Sequence, residues 1–336
     1  MKILAYHVQG YEEKAFKKWS EENGVQVDLE YGLITPESIE KAKGYDGITT
    51  QQVIPVKDEE IFKKMKEYGL TQVASRTAGV DMFDLKTARK YGISVTNVPR
   101  YSPNAIAELA VSLAMSLLRH LPYTAEKFNK RDFTVDKNMF SREVRNCTVG
   151  VIGLGRIGFT AAKLFKGLGA NVIGYDMFPK TGIDDIVTQV SMEELIAKSD
   201  IITLHAPFIK ENGKIVTKEF LNNMKENSIL INTARGELMD LEAVVNALES
   251  GHLAAAGIDT IEGEVNYFFK NFSNDEAKFR LEYPLFNRLL DLYPRVLVTP
   301  HVGSYTDEAA SNMIETSLEN LKEYLDTGAC KNDIKA

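Results

Sequence analysis

The sequence predicts an α/β protein whose strands form mostly parallel sheets. Short runs rich in β-branched and other apolar residues alternate with charged amphipathic segments, a pattern that places helices on both faces of a parallel sheet. This alternation occurs twice, first over the opening hundred residues and again from Cys147. A chain of 336 residues fits about two domains, so we expect one domain for each series.

The first series contains strands and helices in strict alternation. The predicted strands are Ile3–His7, Val25–Glu30, Gly47–Thr50, Gln72–Ser75 and Ile93–Asn97. The predicted helices are Glu12–Glu22, Pro36–Lys43, Asp58–Tyr68 and Phe83–Tyr91. The series ends near Arg100, where we place a domain boundary.

A long apolar helix precedes the second series. Ser102 is a good N-cap and Pro103 suits the first helical position, so the helix starts there and runs to about His120. Because it is apolar on most faces, it must be buried, in our interpretation partly by a second copy of the chain.

The second series ends in a helix that can return to pack on the first domain. Its predicted strands are Cys147–Ile152, Asn171–Tyr175, Ile201–Leu204, Ser228–Asn232, Ala255–Ile258 and Val296–Thr299. The final helix is predicted over Asp307–Asp326.

Composition and charge exclude several classes of protein. The chain is 44% hydrophobic and 26% charged, with 40 Lys and Arg against 47 Asp and Glu, which is typical of an acidic globular protein. It has no long basic cluster, so we expect no nucleic acid and no membrane as a partner. Leu109–Leu118 is far too short to span a bilayer, and the N-terminus lacks a signal peptide. Cys147 and Cys330 lie too far apart for a disulfide scaffold or zinc site, so we expect a cytoplasmic protein without a metal.

A glycine-rich turn predicts a dinucleotide-binding domain. Gly153, Gly155 and Gly158 follow an apolar strand and open an amphipathic helix. Gly153 permits the tight turn, Gly155 lets the backbone approach a pyrophosphate, and Gly158 allows the helix to pack closely on the strand. Strand, turn and helix together predict a Rossmann domain.

Asp176 predicts which dinucleotide is bound. It ends the next predicted strand, where its carboxylate can accept hydrogen bonds from both ribose hydroxyls and would repel a 2′-phosphate. No arginine follows it, and Lys180 is a weak substitute, so NAD is favoured over NADP. The alternative is a solvated acid at a strand end.

Hydride exchange with NAD requires an acid/base group, and histidine is the natural candidate. Of the five histidines, His120 and His252 lie at helix ends and are typical of surface or capping residues. The other three, His7, His205 and His301, each end a predicted strand. His301 is favoured because an apolar strand and Pro300 lead directly to it, although a structural histidine stays possible from periodicity alone.

A cation and a carboxylate complete the candidate site. Arg235 follows a predicted strand, where its guanidinium can bind a carboxylate and a carbonyl oxygen, although an ordinary surface ion pair is the alternative. Glu264 comes shortly after Asp259; a carboxylate beside His301 would raise the pKa of the imidazole. Glu262 is an equal candidate from the residues alone.

Six motifs, in order along nearly the whole chain, carry a family resemblance. They are Ser75–Asp81, Tyr101–Glu108, the Gly153 turn, Asn232–Gly236, Asp259–Glu264 and Thr299–His301. With these motifs the chain resembles the D-isomer-specific 2-hydroxyacid dehydrogenases, in their D-lactate dehydrogenase-like branch.

The resemblance implies two doubly wound domains. A Rossmann NAD-binding domain, residues 101–299, would be inserted into a flavodoxin-like substrate domain made of residues 1–100 and 300–336, with the cleft between them. It also implies a homodimer built through the NAD domain, which would explain the apolar helix after Pro103.

The resemblance also implies a role for each matched residue. His301 matches the acid/base, Glu264 its partner and Arg235 the substrate-orienting cation. The implied substrate contacts are Ala78, Gly79, Tyr101 and Arg235, with Thr50 and Ser304 facing the substrate side chain. The implied cofactor contacts are Gly153, Gly155, Arg156, Ile157, Gly158, Asp176, His205, Pro207, Thr233, Ala234 and Asp259. The implied reaction is hydride transfer from NADH to the C2 carbonyl of a 2-oxo acid.

The sequence defines the side chain of the substrate less well than it defines the reaction. Many D-lactate-selective relatives have aromatic residues where this chain has Thr50 and Ser304, so a larger pocket is predicted. Arg100–Glu108, Phe140–Gly150 and Asp291–Glu308 are also similar to (R)-2-hydroxyglutarate dehydrogenases, whose substrate needs a second cation. Arg76 is a conceivable cation but could equally be structural, and Thr49–Val53 contains no basic residue. A lactate-like substrate is therefore favoured, narrowly.

Two other classes of protein are alternatives to a dehydrogenase. A non-enzymatic NAD-sensing protein would need neither His301 nor Arg235, and a simple two-domain binding protein would have the His/Arg/Glu set by coincidence. The complete set favours the dehydrogenase.

Overall fold

The computed structural model describes residues 1–334, which divide into two compact units. Unit 1 comprises Met1–Ser102 together with the chain from Tyr305 onward, and unit 2 comprises Pro103–Ser304. Each unit is an α/β structure built on a parallel sheet.

Unit 1 contains a five-stranded parallel sheet within the described chain, in the order β2-β1-β3-β4-β5. The strands are β1 (Lys2–Tyr6), β2 (Gln26–Leu29), β3 (Gly47–Thr50), β4 (Gln72–Ser75) and β5 (Ser94–Thr96). The helices are α1 (Glu13–Asn23), α2 (Glu59–Glu67), α3 (Leu85–Lys90) and α12 (Asp307–Thr327). This strand order is the flavodoxin-like one, whose topological switch point lies between β1 and β3.

Two hydrophobic cores cover the faces of this sheet. Tyr6, Ile48 and Phe62 belong to one core, and Phe16 and Trp19 to the other. The last helix, α12, packs on α1, β3 and β4 in the first part of the chain.

Several predicted elements of unit 1 have bounds that differ from the structure by one or two residues, and two of the differences have a clear local cause. The predicted helix Pro36–Lys43 is a short 3₁₀ helix, Ser38–Ala42, because the Ser38 hydroxyl binds the Leu33 carbonyl and the Thr35 N–H in a tight turn. The first strand ends at Tyr6 rather than His7, because His7 adopts a left-handed conformation with φ 51°.

Unit 2 contains a seven-stranded parallel sheet among the described residues, in the order β12-β11-β10-β9-β6-β7-β8. The strands are β6 (Thr148–Ile152), β7 (Asn171–Tyr175), β8 (Thr188–Gln189), β9 (Ile201–Leu204), β10 (Ser228–Asn232), β11 (Leu253–Ile258) and β12 (Val296–Val298). The helices are α4 (Pro103–Leu118), α5 (Leu121–Asn129), α6 (Arg156–Gly167), α7 (Met192–Lys198), α8 (Lys218–Asn223), α9 (Leu241–Glu249), α10 (Glu276–Glu282) and α11 (Pro284–Leu290). The order is that of a Rossmann domain extended by one strand, with its switch point between β6 and β9.

The apolar helix α4 is buried by its own unit. It packs against α6, β10 and β11, and its side chains from Ala110 to Leu118 join the core beside β6. The burial of α4 therefore does not require a second copy of the chain. Large exposed apolar side chains follow it instead, at Leu121, Phe128, Phe133, Val135 and Phe140.

The short strand β8 was not predicted, because two residues are too few to show an alternating pattern. In the described part of the chain, no single helix is long and apolar enough to cross a membrane. One pair, α4 with α5, passes on length and composition together, but it bends by 65°.

Candidate active site

The glycine turn after β6 has the geometry of a dinucleotide cradle. Gly153 has a φ of 91°, and a Cβ there would lie 2.7 Å from the His205 backbone. A Cβ on Gly158 would lie 1.8 Å from the Gly153 carbonyl oxygen, so only glycine lets α6 pack this closely. A Cβ on Gly155 would meet no atom within 4 Å, which leaves the backbone there open to an approaching group.

The start of α6 faces the same space. No side chain caps this helix, so its first N–H groups are available to an anion, and the helix dipole favours negative charge there. Arg156 is exposed and Ile157 is half-buried at this end. The turn therefore fits a pyrophosphate.

Asp176 lies beside the glycine turn. Its Oδ2 accepts a hydrogen bond from Leu154 N at 2.8 Å, and its Oδ1 accepts one from Phe178 N at 2.9 Å. Lys180 Nζ lies 3.4 Å from Oδ1. The carboxylate therefore supports the turn, and each oxygen has a further lone pair for a ribose hydroxyl.

Buried polar atoms lie unpaired at the carboxyl edge of the unit 2 sheet. Within the described chain, His205 Nδ1, Thr233 Oγ1 and Thr260 Oγ1 have no hydrogen-bond partner. They follow β9, β10 and β11 within two residues each. Since unpaired buried polar atoms are costly, this edge fits a bound polar group such as the nicotinamide riboside part of NAD. Thr260 was not predicted as a site residue, although it lies within the Asp259–Glu264 motif.

His301 and Glu264 form the central pair of the candidate site. His301 Nδ1 lies 2.5 Å from Glu264 Oε1, and Glu264 Oε2 accepts a hydrogen bond from Ile261 N at 3.2 Å. Because a carboxylate only accepts, Nδ1 carries the hydrogen and Nε2 is left to exchange a proton with a substrate. The other candidate, Glu262, instead forms an ion pair with Lys214.

Glu264 raises the pKa of His301. Burial by itself lowers the pKa, but the hydrogen bond and negative charge of Glu264 outweigh it, so the pKa lies above the ordinary histidine value. By contrast, burial lowers the pKa of His205 to about 4. His205 is therefore neutral at pH 7, and His301 is the better proton donor of the two.

Asp259 holds the turn that carries His301. Its Oδ1 accepts hydrogen bonds from Thr299 Oγ1 at 2.5 Å and Val302 N at 2.9 Å, and its Oδ2 accepts one from Gly303 N at 3.0 Å. This carboxylate is only 1% exposed. It therefore supports the left-handed conformation of His301, whose φ is 54°. This positioning role was not predicted for Asp259.

Arg235 is exposed at the carboxyl end of β10. Asn232 shapes its turn by donating to the Arg235 carbonyl at 2.8 Å and accepting from Ala234 N at 3.0 Å. A Cβ on Gly236 would lie 2.1 Å from the backbone of Ile261 and Glu262, so this turn packs directly on the Asp259–Glu264 segment. No ion pair to Arg235 is found among the described residues, and its charge counters the rise in the His301 pKa. Its Nη1 donates to the Ala234 carbonyl at 2.7 Å, and the remaining N–H groups of the exposed guanidinium can bind an anion.

The loop after β4 in unit 1 presents unpaired N–H groups. Val98 N donates to the Thr77 carbonyl, Asn97 Nδ2 to the Ala78 carbonyl at 2.6 Å, and Thr77 Oγ1 to the Gly79 carbonyl at 2.5 Å. Every carbonyl of this short loop is thus bonded, whereas no bond from Ala78 N or Gly79 N is found in the described chain. Such a loop can bind a carboxylate through its N–H groups.

Two residues of unit 1 that the sequence suggested as substrate contacts, Thr50 as an implied contact and Arg76 as an open alternative, are buried. Thr50 is fully buried, and its hydroxyl hydrogen-bonds Gln52 Oε1 at 3.2 Å, so it does not line an open pocket. Arg76 is also fully buried, with Nε 3.2 Å from Glu12 Oε1, so it is structural rather than a cation for a second carboxylate.

The other predicted contacts lie at the ends of their strands or helices. Tyr101 is half-buried, and its carbonyl accepts a hydrogen bond from Asn312 Nδ2. Ser304 and Ala234 are half-buried, and Pro207 is exposed.

The strand order of unit 2 and the site at its carboxyl edge define an NAD-dependent dehydrogenase. Residues 111–303 match the family model described as "D-isomer specific 2-hydroxyacid dehydrogenase, NAD binding domain". The chain belongs to this family, the D-isomer-specific 2-hydroxyacid dehydrogenases.

Relatives match the chain over its whole length. It is 43% identical to a D-2-hydroxyacid dehydrogenase (NAD(+)) of Clostridioides difficile, covering 99% of this chain and 100% of that one. It is 41% identical to an aromatic 2-oxoacid reductase of Clostridium sporogenes, covering 99% and 98%. The structure of a D-lactate dehydrogenase from Treponema pallidum superposes with a TM-score of 0.92 at 36% identity, over all of both chains. The protein is therefore an oxidoreductase that uses NAD.

Proposed function

We propose that this protein reduces a 2-oxo acid, pyruvate or a somewhat larger one, to the D-2-hydroxy acid. The observation that carries the proposal is the contact between His301 Nδ1 and Glu264 Oε1, beside an exposed Arg235. The contact with Glu264 raises the pKa of His301, which favours its protonated form, and the guanidinium of Arg235 can bind the oxygens of a 2-oxo acid.

His301 is the proton donor in this reaction. Protonated His301 delivers the Nε2 proton to the C2 oxygen, and Glu264 stabilises the imidazolium before the transfer. Arg235 polarises the carbonyl and orients the carboxylate, which the N–H groups of Ala78 and Gly79 also bind. Tyr101 is a further substrate contact.

The NAD site is formed by residues of unit 2. The turn from Gly153 to Gly158, with Arg156 and Ile157, would hold the pyrophosphate, and Asp176 the ribose. His205, Pro207, Thr233, Ala234 and Asp259 would surround the nicotinamide. When bound, the reduced cofactor supplies the hydride to C2.

A substrate panel tests the proposal. Pyruvate, 2-oxoglutarate, 4-methyl-2-oxopentanoate and phenylpyruvate are each mixed with the protein and NADH, and NADH oxidation is followed with the chirality of the product. We expect turnover of at least one substrate to the D product. NADH binding without any turnover would contradict the proposal and favour an NAD-sensing protein.

We also propose that the protein is a cytoplasmic homodimer joined through unit 2. Support for the dimer comes from the exposed apolar side chains between Leu121 and Phe140. One of them, Phe140, also lines a cavity of about 960 Å³ together with Leu117 and Tyr293. Exposed apolar patches of this kind mark association surfaces. The two free cysteines, Cys147 and Cys330, are compatible with a reducing compartment.

A further inference from the structure

His7 and Gln51 lie at the switch point of the unit 1 sheet. His7 directly follows β1 and Gln51 directly follows β3, and these two strands are hydrogen-bonded neighbours in parallel register. In open parallel sheets, ligands bind at the carboxyl ends of the strands that flank the switch point. The position is therefore the natural ligand position of unit 1.

The backbone of His7 is held in an unfavourable conformation. Its φ of 51° is uncommon for a residue with a side chain. His7 N donates to the Gly32 carbonyl at 2.8 Å, and the His7 carbonyl accepts from the buried Arg76 Nη2 at 3.1 Å. Arg76 is itself paired with Glu12, so a buried ion pair fixes this strand end.

The imidazole of His7 is oriented as firmly as its backbone. Nδ1 lies 2.7 Å from the Gln51 carbonyl oxygen. A carbonyl only accepts, so Nδ1 carries the hydrogen and the ring presents Nε2. Neither Nε2 nor the Gln51 carboxamide has a hydrogen-bond partner in the described chain, and both side chains are half-buried. Two oriented polar groups are thus left for a ligand.

The loop that presents the Ala78 and Gly79 N–H groups is linked by hydrogen bonds to the carboxyl ends of β1 and β3. It begins directly after Arg76, whose N–H donates to the Thr50 carbonyl at 2.8 Å and whose guanidinium binds the Tyr6 and His7 carbonyls. When the carboxylate of a 2-oxo acid binds to this loop, the side chain of the acid can contact neighbouring polar groups at this edge of the sheet.

We propose that His7 and Gln51 contact the substrate side chain and select 2-oxo acids whose side chain carries an oxygen, above all a second carboxylate. The inference rests on the proposed function and specifies its substrate class. The Gln51 amide donates to such an oxygen, and Nε2 of His7 donates when the ring is protonated or accepts from a hydroxyl when it is neutral. Thr49–Val53 contains no basic residue, and the fold brings His7 to this segment from a different strand.

The test compares two substrates of similar size, 2-oxoglutarate and 4-methyl-2-oxopentanoate. Their ratio of kcat/KM, at saturating NADH, cancels any effect on the proton donor or on folding that acts on both substrates. His7→Asn removes the imidazole but tolerates the left-handed backbone, and Gln51→Leu removes the carboxamide but keeps the carbonyl that orients His7. We expect each to lower the ratio about tenfold, the loss of one good hydrogen bond to a charged group.

A matched control uses another left-handed histidine. His120, with a φ of 50°, precedes α5 in unit 2, and His120→Asn should leave the ratio within about twofold of the wild type. Thermal unfolding of all three variants verifies the fold, and His7→Gly replaces His7→Asn should that variant unfold.

Several outcomes overturn the inference. A wild-type protein that reduces 4-methyl-2-oxopentanoate but not 2-oxoglutarate contradicts it, as does an unchanged ratio in the His7 and Gln51 variants or an equal loss on both substrates. In these cases the proposed function stands and only the assignment of His7 and Gln51 fails. A wild-type protein that reduces no 2-oxo acid overturns both.

Discussion

At the scale of single residues, the site depends on a histidine that the fold holds in a strained conformation. His301 has a φ of 54°, and the His301 N–H donates to the Asp259 carbonyl at 2.9 Å. The Asp259 carboxylate accepts from both following backbone N–H groups. This network pre-orients the imidazole, so little reorganisation is needed when it transfers a proton.

Replacing His301 should abolish most turnover while leaving cofactor binding intact. His301→Asn tolerates the left-handed backbone but cannot transfer the proton, so we expect kcat to fall about 10²- to 10⁴-fold. NADH affinity, followed by fluorescence, should change little. A variant with near-normal kcat would show that another group is the acid.

The carboxylate of Glu264 should determine the pH dependence of reduction. Reduction requires the imidazolium, so its rate falls as the pH rises through the pKa of His301. Because Glu264 raises that pKa, Glu264→Gln should move the fall to lower pH. The measurement is kcat/KM for reduction against pH.

Glu262 offers a matched control for this profile, since it pairs with Lys214 rather than His301. Glu262→Gln should leave the fall where the wild type has it. Equal shifts in the two variants would mean that general surface charge, and not the contact with Glu264, determines the pKa.

At the scale of elements, the glycines of the β6–turn–α6 segment have two different functions. Gly158 is required for packing, because a Cβ there would lie 1.8 Å from the Gly153 carbonyl oxygen. Gly155 is not, because its Cβ would meet no atom within 4 Å. The sequence pattern alone does not distinguish these two requirements.

Three alanine substitutions in this segment should behave differently. Gly158→Ala should destabilise the fold by about 1–3 kcal/mol through overpacking. Gly155→Ala should leave the unfolding temperature near that of the wild type but weaken NADH binding, because the methyl group occupies the approach of the pyrophosphate. Thermal unfolding and NADH titration measure the two effects.

Gly167 is the control, because it lies in the same helix and a Cβ there also meets nothing within 4 Å. Gly167→Ala should preserve both stability and NADH affinity. Equal loss of NADH affinity in the Gly155 and Gly167 variants would contradict the assignment of the turn.

The acid after β7 should determine the cofactor preference. Asp176→Asn keeps an acceptor for Leu154 N but removes the charge that would repel a 2′-phosphate. We expect weaker NADH binding and a narrower preference for NADH over NADPH, measured as the ratio of the two kcat/KM values. An unchanged ratio would show that Asp176 does not contact the ribose.

At the scale of the whole molecule, unit 1 is assembled from both ends of the chain. The C-terminal helix α12 supplies Ile314, Leu318 and Leu321 to the core that also contains Ile3 and Phe16. Thr49 Oγ1 and Ser317 Oγ, far apart in sequence, lie 3.1 Å apart within this core. Unit 1 therefore cannot complete its core until the C-terminal segment is present.

Charged substitutions on the exposed apolar segment after α4 should dissociate the proposed homodimer. Val135 is 78% exposed and Phe140 is 79% exposed. Burying two new carboxylates in an interface is strongly unfavourable, so Val135→Glu combined with Phe140→Glu should yield a monomer. Light scattering coupled to size-exclusion chromatography measures the mass.

Leu281 is 83% exposed in the same unit and outside this segment, which makes Leu281→Glu the control. This variant should keep the mass of the wild type. A wild-type monomer, or a double variant with unchanged mass, would contradict the proposed interface.

Periodicity and local motifs are short-range properties, and most of the strands that they predict are confirmed. The strands Gly47–Thr50, Gln72–Ser75 and Ser228–Asn232 have their predicted bounds. The parallel α/β fold and the membership of the family were also evident from the chain. The predictions were wrong where a few local hydrogen bonds determine the backbone conformation, as at Ser38 and at the end of β1.

Contacts between distant segments were decided only by the tertiary structure. Glu262 and Glu264 are equivalent in the sequence, yet only Glu264 reaches His301 because the turn after β11 directs their side chains differently. Thr50 was an implied substrate contact and Arg76 an open alternative, but the sheet buries both. His7 meets Gln51 because β1 and β3 are neighbours in the strand order. The sequence by itself determined the fold, the family and the chemistry; side-chain direction and strand order determined which residues carry that chemistry, because both depend on packing across the whole sheet.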